Sequence, residues 1–493
     1  MAGETETVDV LIAGAGPVGV TLGLLLAKSG HSVSIVERDV GVYPVPRAAH
    51  IDHEVLRLLD MVGGAAPVVA NSQPLSSYEF RAGDGSLLMG FKTGKALAPT
   101  GFPPSSMFHQ PTLEFALRDK VAENPLVALD IETTLTGFNA NDEGVIATVH
   151  GKDGDREIAA RYLVGCDGGA SIVRKLLKIS LDDMGFDEPW LVVDARLKDG
   201  RERFTTIGIQ HCDPARPVTD VPMSPGRHRW EFMMRPGETT EEVTTDEAID
   251  AMIAPFADPA SVEIDRRAVY RFHAVIAHEW RKGRVLLAGD AAHQMPPFLG
   301  QGLCSGVRDA GNLGWKLDLV LKGQAGDKLL DSYQAERSPH VRAITEMAVF
   351  MGQVVCTQDP AKAAARDKEM LSKPEGERMN ALPPPAGITS GIVKGNPAAG
   401  QVAPEPFLAK DGRRVDELAG YAPILYVREP LESVSFAGGG LVVPLSMVAD
   451  KDGTLAGMMG DAPAMLVRPD KNVFGLGDPA ALLASWGDYL QRG

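Results

Sequence analysis

The residues best suited to chemistry lie in three short segments, far apart in the chain. In the first, Gly14, Gly16 and Gly19 stand in G-x-G-x-x-G spacing behind the apolar residues Val8, Val10, Leu11 and Ile12. Such a turn suits a pyrophosphate: the first glycine permits the tight turn, the second lets backbone approach the phosphates, and the third lets helix pack on strand. A helix is predicted from Pro17 to about Lys28, its first N–H groups facing the phosphates. A second strand, over 32–36, ends at Glu37, placed to accept hydrogen bonds from ribose hydroxyls. In the second segment, a strand over 162–164 runs through Cys166-Asp167-Gly168-Gly169 into a helix carrying Ser171 and Arg174. In the third, a buried strand over 285–288 ends at Gly289-Asp290, Pro296 and Pro297 stiffen a loop, and Gly300-Gln301-Gly302 opens a helix through about Leu321. An aspartate just past a strand end can reach a polyol hydroxyl, and N–H groups at a helix start suit negative charge on a reduced ring.

The first segment alone does not separate NAD from FAD. Asp167 and Asp290 favour FAD, which has a ribityl chain where NAD has none. With all three segments in this order, the chain resembles the single-component flavoprotein aromatic hydroxylases, which share the para-hydroxybenzoate hydroxylase fold. The glycine motif, G-C-D-G-G-A-S-I-V-R (165–174) and A-G-D-A-A-H (288–293) correspond to that family's three fingerprints, and the likeness extends over roughly residues 8–350. P-R-A-A-H-I-D-H-E (46–54), F-H-Q-P-T-L-E (108–114), R-W-E-F-M-M-R-P-G-E (229–238) and M-P-P-F (295–298) look like the hydroxyphenylpropionate hydroxylase branch.

The resemblance implies an FAD-dependent monooxygenase that uses NADH or NADPH, NADH slightly favoured, as a transient reductant. It would hydroxylate a phenolic ring with dioxygen through a flavin C4a-hydroperoxide. The FAD set is Gly14, Gly16, Pro17, Gly19, Glu37, Arg38, Arg47, Gln110, Arg118, Asp167, Asp290, Pro297, Gly300, Gly302 and Leu303; Arg47, Gln110 and Arg118 enter it through the resemblance. Because a phenolate is a better nucleophile than a phenol, a base or acceptor near the substrate hydroxyl is expected. His50 and Asp52 are candidates, with loop and helix capping as the alternative; His211 and Tyr270, on sheet strands, are two more. Trp230, Phe232 and Met234 alternate and share a face, either a pocket wall or plain core; with Pro296 they form the substrate-binding set. His293 is expected to brace the Asp290 turn, and Arg308-Asp309 to be a surface or turn contact of little energy. Competing readings are a hydroxylase of a polycyclic polyketide or chlorophenol, a flavin oxidase or dehydrogenase that inserts no oxygen, and an FAD-holding scaffold.

The elements that must position these residues imply an α/β (α+β) fold. A Rossmann-like FAD-binding domain takes residues 1–178 and 279–360, with a hairpin-rich insert over 78–91. Strands over 190–196, 205–211, 229–234 and 261–272 form an inserted antiparallel-sheet substrate domain, 179–278. Residues 361–400 read as an irregular linker. Residues 401–493 resemble a thioredoxin-like C-terminal domain, possessing no C-x-x-C and no cysteine at all, which excludes thiol redox chemistry there. The 493 residues suffice for two or three domains. A net charge of −16 argues against nucleic acid or an anionic membrane as partner. Four scattered cysteines without metal spacing suggest a reduced, cytoplasmic setting. Residues 1–7 lack the regions of a signal peptide, and the longest apolar helix, 18–27, is too short to span a bilayer. The expected partners are a small aromatic substrate and dioxygen, with a homodimer as the family's default.

Overall fold

The computed structural model describes residues 6–42, 47–93, 96–198, 200, 204–380, 387–431, 434 and 436–492. Val10, Leu11 and Ile12 are fully buried because their strand, Glu6–Ala13, runs through the middle of a sheet. It pairs in parallel with Val33–Val36 on one side and Gly154–Gly165 on the other. Val127–Asp130 and Val285–Leu287 extend the parallel set at either side. Burial on both faces explains the unbroken apolar runs in these strands. The helix Pro17–Lys28 follows the first strand and packs against Gly302–Leu321, bringing the first and third segments together.

A second, mainly antiparallel sheet runs in the order His293–Gln294, Val262–Ala277, Leu181–Leu197, Arg227–Met233, Val218–Pro222, Ile207–Cys212, Ser77–Ala82, Leu87–Lys92. The hairpin read as an insert of the first domain therefore belongs to this sheet, which draws on residues outside 179–278. Val218–Pro222, bounded by prolines, gave no strand signal. Residues directly opposite one another share a face. Trp190, Met233 and Tyr270 are in register, as are Val192, Glu231, Thr219 and Gln210, and Asp194, Arg229 and Arg266. That face turns toward the first domain, Trp190 lying 5.7 Å from the Phe298 ring. The opposite face carries Leu191, Val193, Trp230 and Phe232, covered by Val243, Ile249 and Ile253 of the helices Thr240–Val243 and Asp246–Ile253.

Where an irregular linker was expected, residues Pro360–Leu371 form a helix. Asp359 accepts hydrogen bonds from the Ala361 and Lys362 N–H groups and Pro360 opens the first turn, while A-K-A-A-A-R-D-K-E-M-L is built of strong helix formers. The prolines and glycines that suggested irregularity lie mainly beyond it. The C-terminal sheet has Ile424–Val427 parallel to Leu441–Pro444 and antiparallel to Ala464–Val467, which pairs with Val473–Gly477; the helix Pro479–Arg492 ends the chain's described part. That order and direction is a thioredoxin-like core, and no helix joins its first two strands among the described residues. It docks through Trp486, 5.6 Å from Trp315, and through a buried cluster in which Glu336 accepts from Lys316 at 2.9 Å and Arg468 at 2.7 Å.

Candidate active site

The three glycines of the first turn differ in what they accommodate. Gly14 has φ +104°, and a Cβ there would lie 2.4 Å from the Cys166 carbonyl oxygen; at Gly19 it would lie 2.1 Å from that of Gly14. These two allow close packing, and the Gly14 contact brings the second segment against the first. A Cβ at Gly16 would meet nothing within 4 Å. The missing side chain there leaves open space in front of the Pro17–Lys28 helix, whose start has no side-chain cap. Uncapped N–H groups facing open space make an anion site. Glu37 borders it, accepting from the Ala15 N–H at 2.8 Å and the Asp39 N–H at 3.0 Å. Arg38 extends outward, largely exposed, toward Asp39.

The third segment reaches the same space. Val18, on the first helix, is 3.1 Å from the position of a Cβ on Gly289 and 2.6 Å from one on Gly306. Asp290 opens onto the cleft and accepts no hydrogen bond from the described residues, and the cleft walls, crowding water from its carboxyl, raise it above the usual range. Its carboxylate is open to a polyol. Beneath it, Asp309 accepts from the Gly289 N–H at 3.1 Å, His293 at 2.6 Å and Arg337 at 2.8 Å. Burial opposes ionisation of Asp309, but His293 and Arg337 outweigh it and hold the carboxyl below its usual value. Asp309 is thus a buried brace, not a surface contact, and His293 steadies the turn as expected.

After the buried Pro296, the turn Pro297–Leu299 leads to Gly300, at φ +62°, and the helix from Gly302 again starts uncapped. A Cβ at Gly302 would meet only Met295, at 4.0 Å. Leu303 packs on the main core. His50 and Asp52 hold this loop. The Gly300 carbonyl can only accept, so His50 Nδ1 carries a proton toward it at 3.2 Å and Nε2 accepts from the Ser105 hydroxyl at 2.8 Å. Burial lowers the His50 pKa, in keeping with that neutral ring. Asp52 caps the helix His53–Asp60 and accepts from Arg308 at 2.6 Å and Gln301 at 3.2 Å; Arg308 also donates to Glu54 at 2.7 Å. Both side chains are committed to the protein, which corrects their reading as acid–base candidates: they position the loop. Arg308 is likewise part of this buried junction.

Asp167 is also committed. It accepts from the Ser171 hydroxyl at 2.5 Å and from the N–H groups of Ile172 at 2.7 Å and Val173 at 3.1 Å. It shapes the turn instead of presenting a free carboxylate. Gln110 accepts from the Ala48 N–H at 2.7 Å, fixing the chain after Arg47, whose carbonyl accepts from Arg229 at 2.8 Å. Arg118 donates to the Gly41 carbonyl at 3.3 Å, while its buried Nε finds no partner among the described residues. Pro46 lies outside the described residues.

On the second sheet, Tyr270 occupies the face turned to the cleft, with the Arg266 guanidinium 4.7 Å from its ring centre. His211 lies on the opposite face, 5.0 Å from the Phe256 ring and 3.6 Å from Asp220, too far from the cleft to touch a substrate there. Trp230, Phe232 and Met234 are core on that same outer face, so their reading as pocket wall is corrected. The alternation placed them together but not on which side, and the polar partners of the same strand, Arg229 and Glu231, take the cleft side.

The open cradle at Gly16, the unspent Asp290, the orphaned Arg118 Nε and the two uncapped helix starts fit an FAD. Among the described residues no cluster suits a metal ion. A family model described as FAD binding domain matches residues 7–348. A probable NADH-specific resorcinol 4-hydroxylase of Rhodococcus jostii (strain RHA1) is 36% identical over 509 residues, covering 98% of this chain and 95% of its own. A 3-(3-hydroxy-phenyl)propionate/3-hydroxycinnamic acid hydroxylase of Mycolicibacterium smegmatis (strain ATCC 700084 / mc(2)155) is 37% identical over 362 residues, which cover 73% of this chain and 64% of that longer relative. The structure is also similar to that of aklavinone-11 hydroxylase in complex with FAD and aklavinone, with TM-score 0.80, 27% identity and 99% of each chain covered.

Proposed function

The chain belongs to the FAD binding domain family, and on that premise we propose that it is an FAD-dependent monooxygenase that hydroxylates a small phenol at the expense of NADH. One observation carries the reading: three distant segments converge on a single cleft whose open positions match a dinucleotide. Bound FAD, reduced by the nicotinamide, supplies the oxygen activation. The chain's own residues do the rest. The N–H groups after Gly16 bind phosphate, and Asp290 takes polyol hydroxyls. The helix start at Gly302 favours negative charge on the adjoining ring. His50, Asp52 and Arg308 hold the Pro297–Leu299 loop in place. The apolar side chains of Trp190, Phe272, Phe298 and Met233 exclude water at one end of the sheet face.

The resorcinol hydroxylase, similar over nearly its whole length, supports a monocyclic phenol and NADH. The four unpaired cysteines support a reducing compartment such as the cytoplasm. No described helix is long and apolar enough to cross a membrane. The test is consumption of NADH and NADPH by the FAD-loaded protein with resorcinol, hydroxyphenylpropionates, chlorophenols and a polycyclic phenol, with product and peroxide assayed together. Fast NADH use with matching hydroxylated product from a monocyclic phenol is expected. Consumption that ends only in peroxide with every phenol would defeat the reading.

A further inference from the structure

Two routes of buried charge run from the C-terminal domain to the groups that shape the flavin site. The first passes through Arg57, on the helix His53–Asp60. Its Nε and Nη2 donate to the two oxygens of Asp416 at 2.7 and 3.2 Å, and its Nη1 donates to the Ala403 carbonyl. Around this fork, Lys471 lies 3.3 Å from Asp416, and Arg414 donates to Glu405 at 2.9 Å. The same helix is capped by Asp52, which binds Arg308 and Gln301 beside the Pro297–Leu299 turn. The second route passes through Arg468. It donates to Asp470 at 2.6 Å, to Glu336 at 2.7 Å and to the Ile392 carbonyl at 2.9 Å. Glu336 adjoins Arg337, which holds Asp309 under the Gly289-Asp290 turn. Between the two routes, the Gly302–Leu321 helix seats both neighbours closely. A Cβ at Gly311 would lie 3.0 Å from Leu58 of the capped helix, and one at Gly314 would lie 2.7 Å from the Tyr421 hydroxyl. That hydroxyl donates to the Gly311 carbonyl.

Resting on the reading of the cleft as the flavin site of a hydroxylase, we propose that the C-terminal domain is a clamp that sets the geometry of that site from outside it. Arg57 and Arg468 are then positioning residues, acting through Asp52 and Arg337. Apolar packing such as Trp486 on Trp315 is enough to hold two domains together. Buried ion pairs add little stability over apolar side chains of similar volume. What a forked arginine adds is direction, because its several donors fix an angle as well as a distance. Each grip lies close to a residue that shapes the site. Asp52 is about 8 Å along the helix axis from Arg57, at 1.5 Å per residue. Glu336 and Arg337 are consecutive, so one helix carries the C-terminal grip and the support of the Asp290 turn side by side. A shift of the C-terminal domain therefore reaches the proline loop and the Asp290 turn together.

The experiment measures FAD affinity of the full-length apoprotein by fluorescence titration, beside its unfolding in denaturant. Arg57→Met combined with Asp416→Leu removes one charge of each sign and keeps apolar volume, so the domains stay packed. Its FAD affinity is expected to fall about tenfold, within the range for coupled sites. Arg57→Lys and Arg468→Lys, which keep the charge and lose the fork, are expected to weaken FAD in the same direction. Leu455 is buried in the C-terminal domain's own core and makes none of these bonds. Leu455→Ala is expected to lower stability while FAD binds as in the wild type. Adding Asp52→Asn to the Arg57→Met, Asp416→Leu variant is expected to cost less than the sum of the separate losses, because both lie on one route. Unchanged affinity in the Arg57 and Arg468 variants, equal weakening by Leu455→Ala, or full additivity with Asp52→Asn would overturn the proposal. Because this readout needs no turnover, phenol-stimulated NADH use with unchanged affinities would retire the clamp alone. Weakened affinities with no phenol-stimulated turnover in the wild type would retire the hydroxylase reading alone.

Discussion

Alanine at Gly16 and alanine at Gly19 should have opposite consequences, although both glycines belong to one motif. At Gly19 the new Cβ would sit 2.1 Å from the Gly14 carbonyl oxygen, and backbone cannot swing aside as a side chain can. Overpacking of this kind costs about 3 kcal/mol. At Gly16 the backbone, φ −71° and ψ 176°, is one that alanine adopts freely, and nothing lies within 4 Å. Alanine there loses a little as a helix cap and gains a little by restricting the unfolded chain, so the net change is within about 1 kcal/mol. Its methyl group, however, fills the space through which backbone approaches phosphate. Loss of one charge-assisted hydrogen bond, about 1.5–3 kcal/mol, weakens FAD binding by roughly 10- to 100-fold. Denaturant unfolding of the apoproteins and fluorescence titration with FAD separate the two effects. If Gly16→Ala unfolded as readily as Gly19→Ala, or bound FAD like the wild type, the cleft above Gly16 would not be the phosphate site.

Phe232→Ala should cost about 3–5 kcal/mol by opening a cavity beneath the helices of the outer face, while the KM for the phenol stays unchanged; steady-state kinetics on the folded fraction checks this. Asp290→Asn should weaken FAD binding in the same titration and stabilise the apoprotein at neutral pH. The sign follows from the raised carboxyl: the wild type's stability from this group is complete below its unfolded pKa and lost as pH rises through the folded one. His340 behaves in the opposite sense. Burial, reinforced by Arg337, lowers its pKa to about 2, so the unfolded chain binds the extra proton below about 6.5. Stability should fall by up to roughly 1.4 kcal/mol per unit as pH drops from there, and His340→Asn should flatten that slope in unfolding measured between pH 5 and 6.5.

The nucleotide half of the molecule was legible because its signals are local. A buried strand, a spaced set of glycines and a helix are adjacent in sequence, so Pro17–Lys28 and Gly302–Leu321 fall where expected. The second sheet was legible only in part. Its strands come from either side of the 166–169 turn, and nothing near Tyr78 announces that the strand Ser77–Ala82 will lie beside Ile207–Cys212. Facing was harder still. Alternation shows that Trp230 and Phe232 share a side, but the cleft is made by the residues between them, and the apolar set was drawn to the helices instead. Capping hid two carboxylates in a similar way: Asp52, expected as an acid–base candidate, and Asp167, expected as a cofactor ligand, are each committed to neighbouring backbone or cations. Asp290 alone of the three is open to the cleft.

The central claim is that this cleft transfers an oxygen atom from dioxygen to a phenolic ring. The most direct measurement is mass spectrometry of the product formed by FAD-loaded protein, NADH and resorcinol under isotopically heavy dioxygen in ordinary water. The account predicts a product carrying one heavy oxygen atom, with NADH consumed in step. Heavy label found only in peroxide, or a hydroxylated product whose new oxygen came from water, would contradict it.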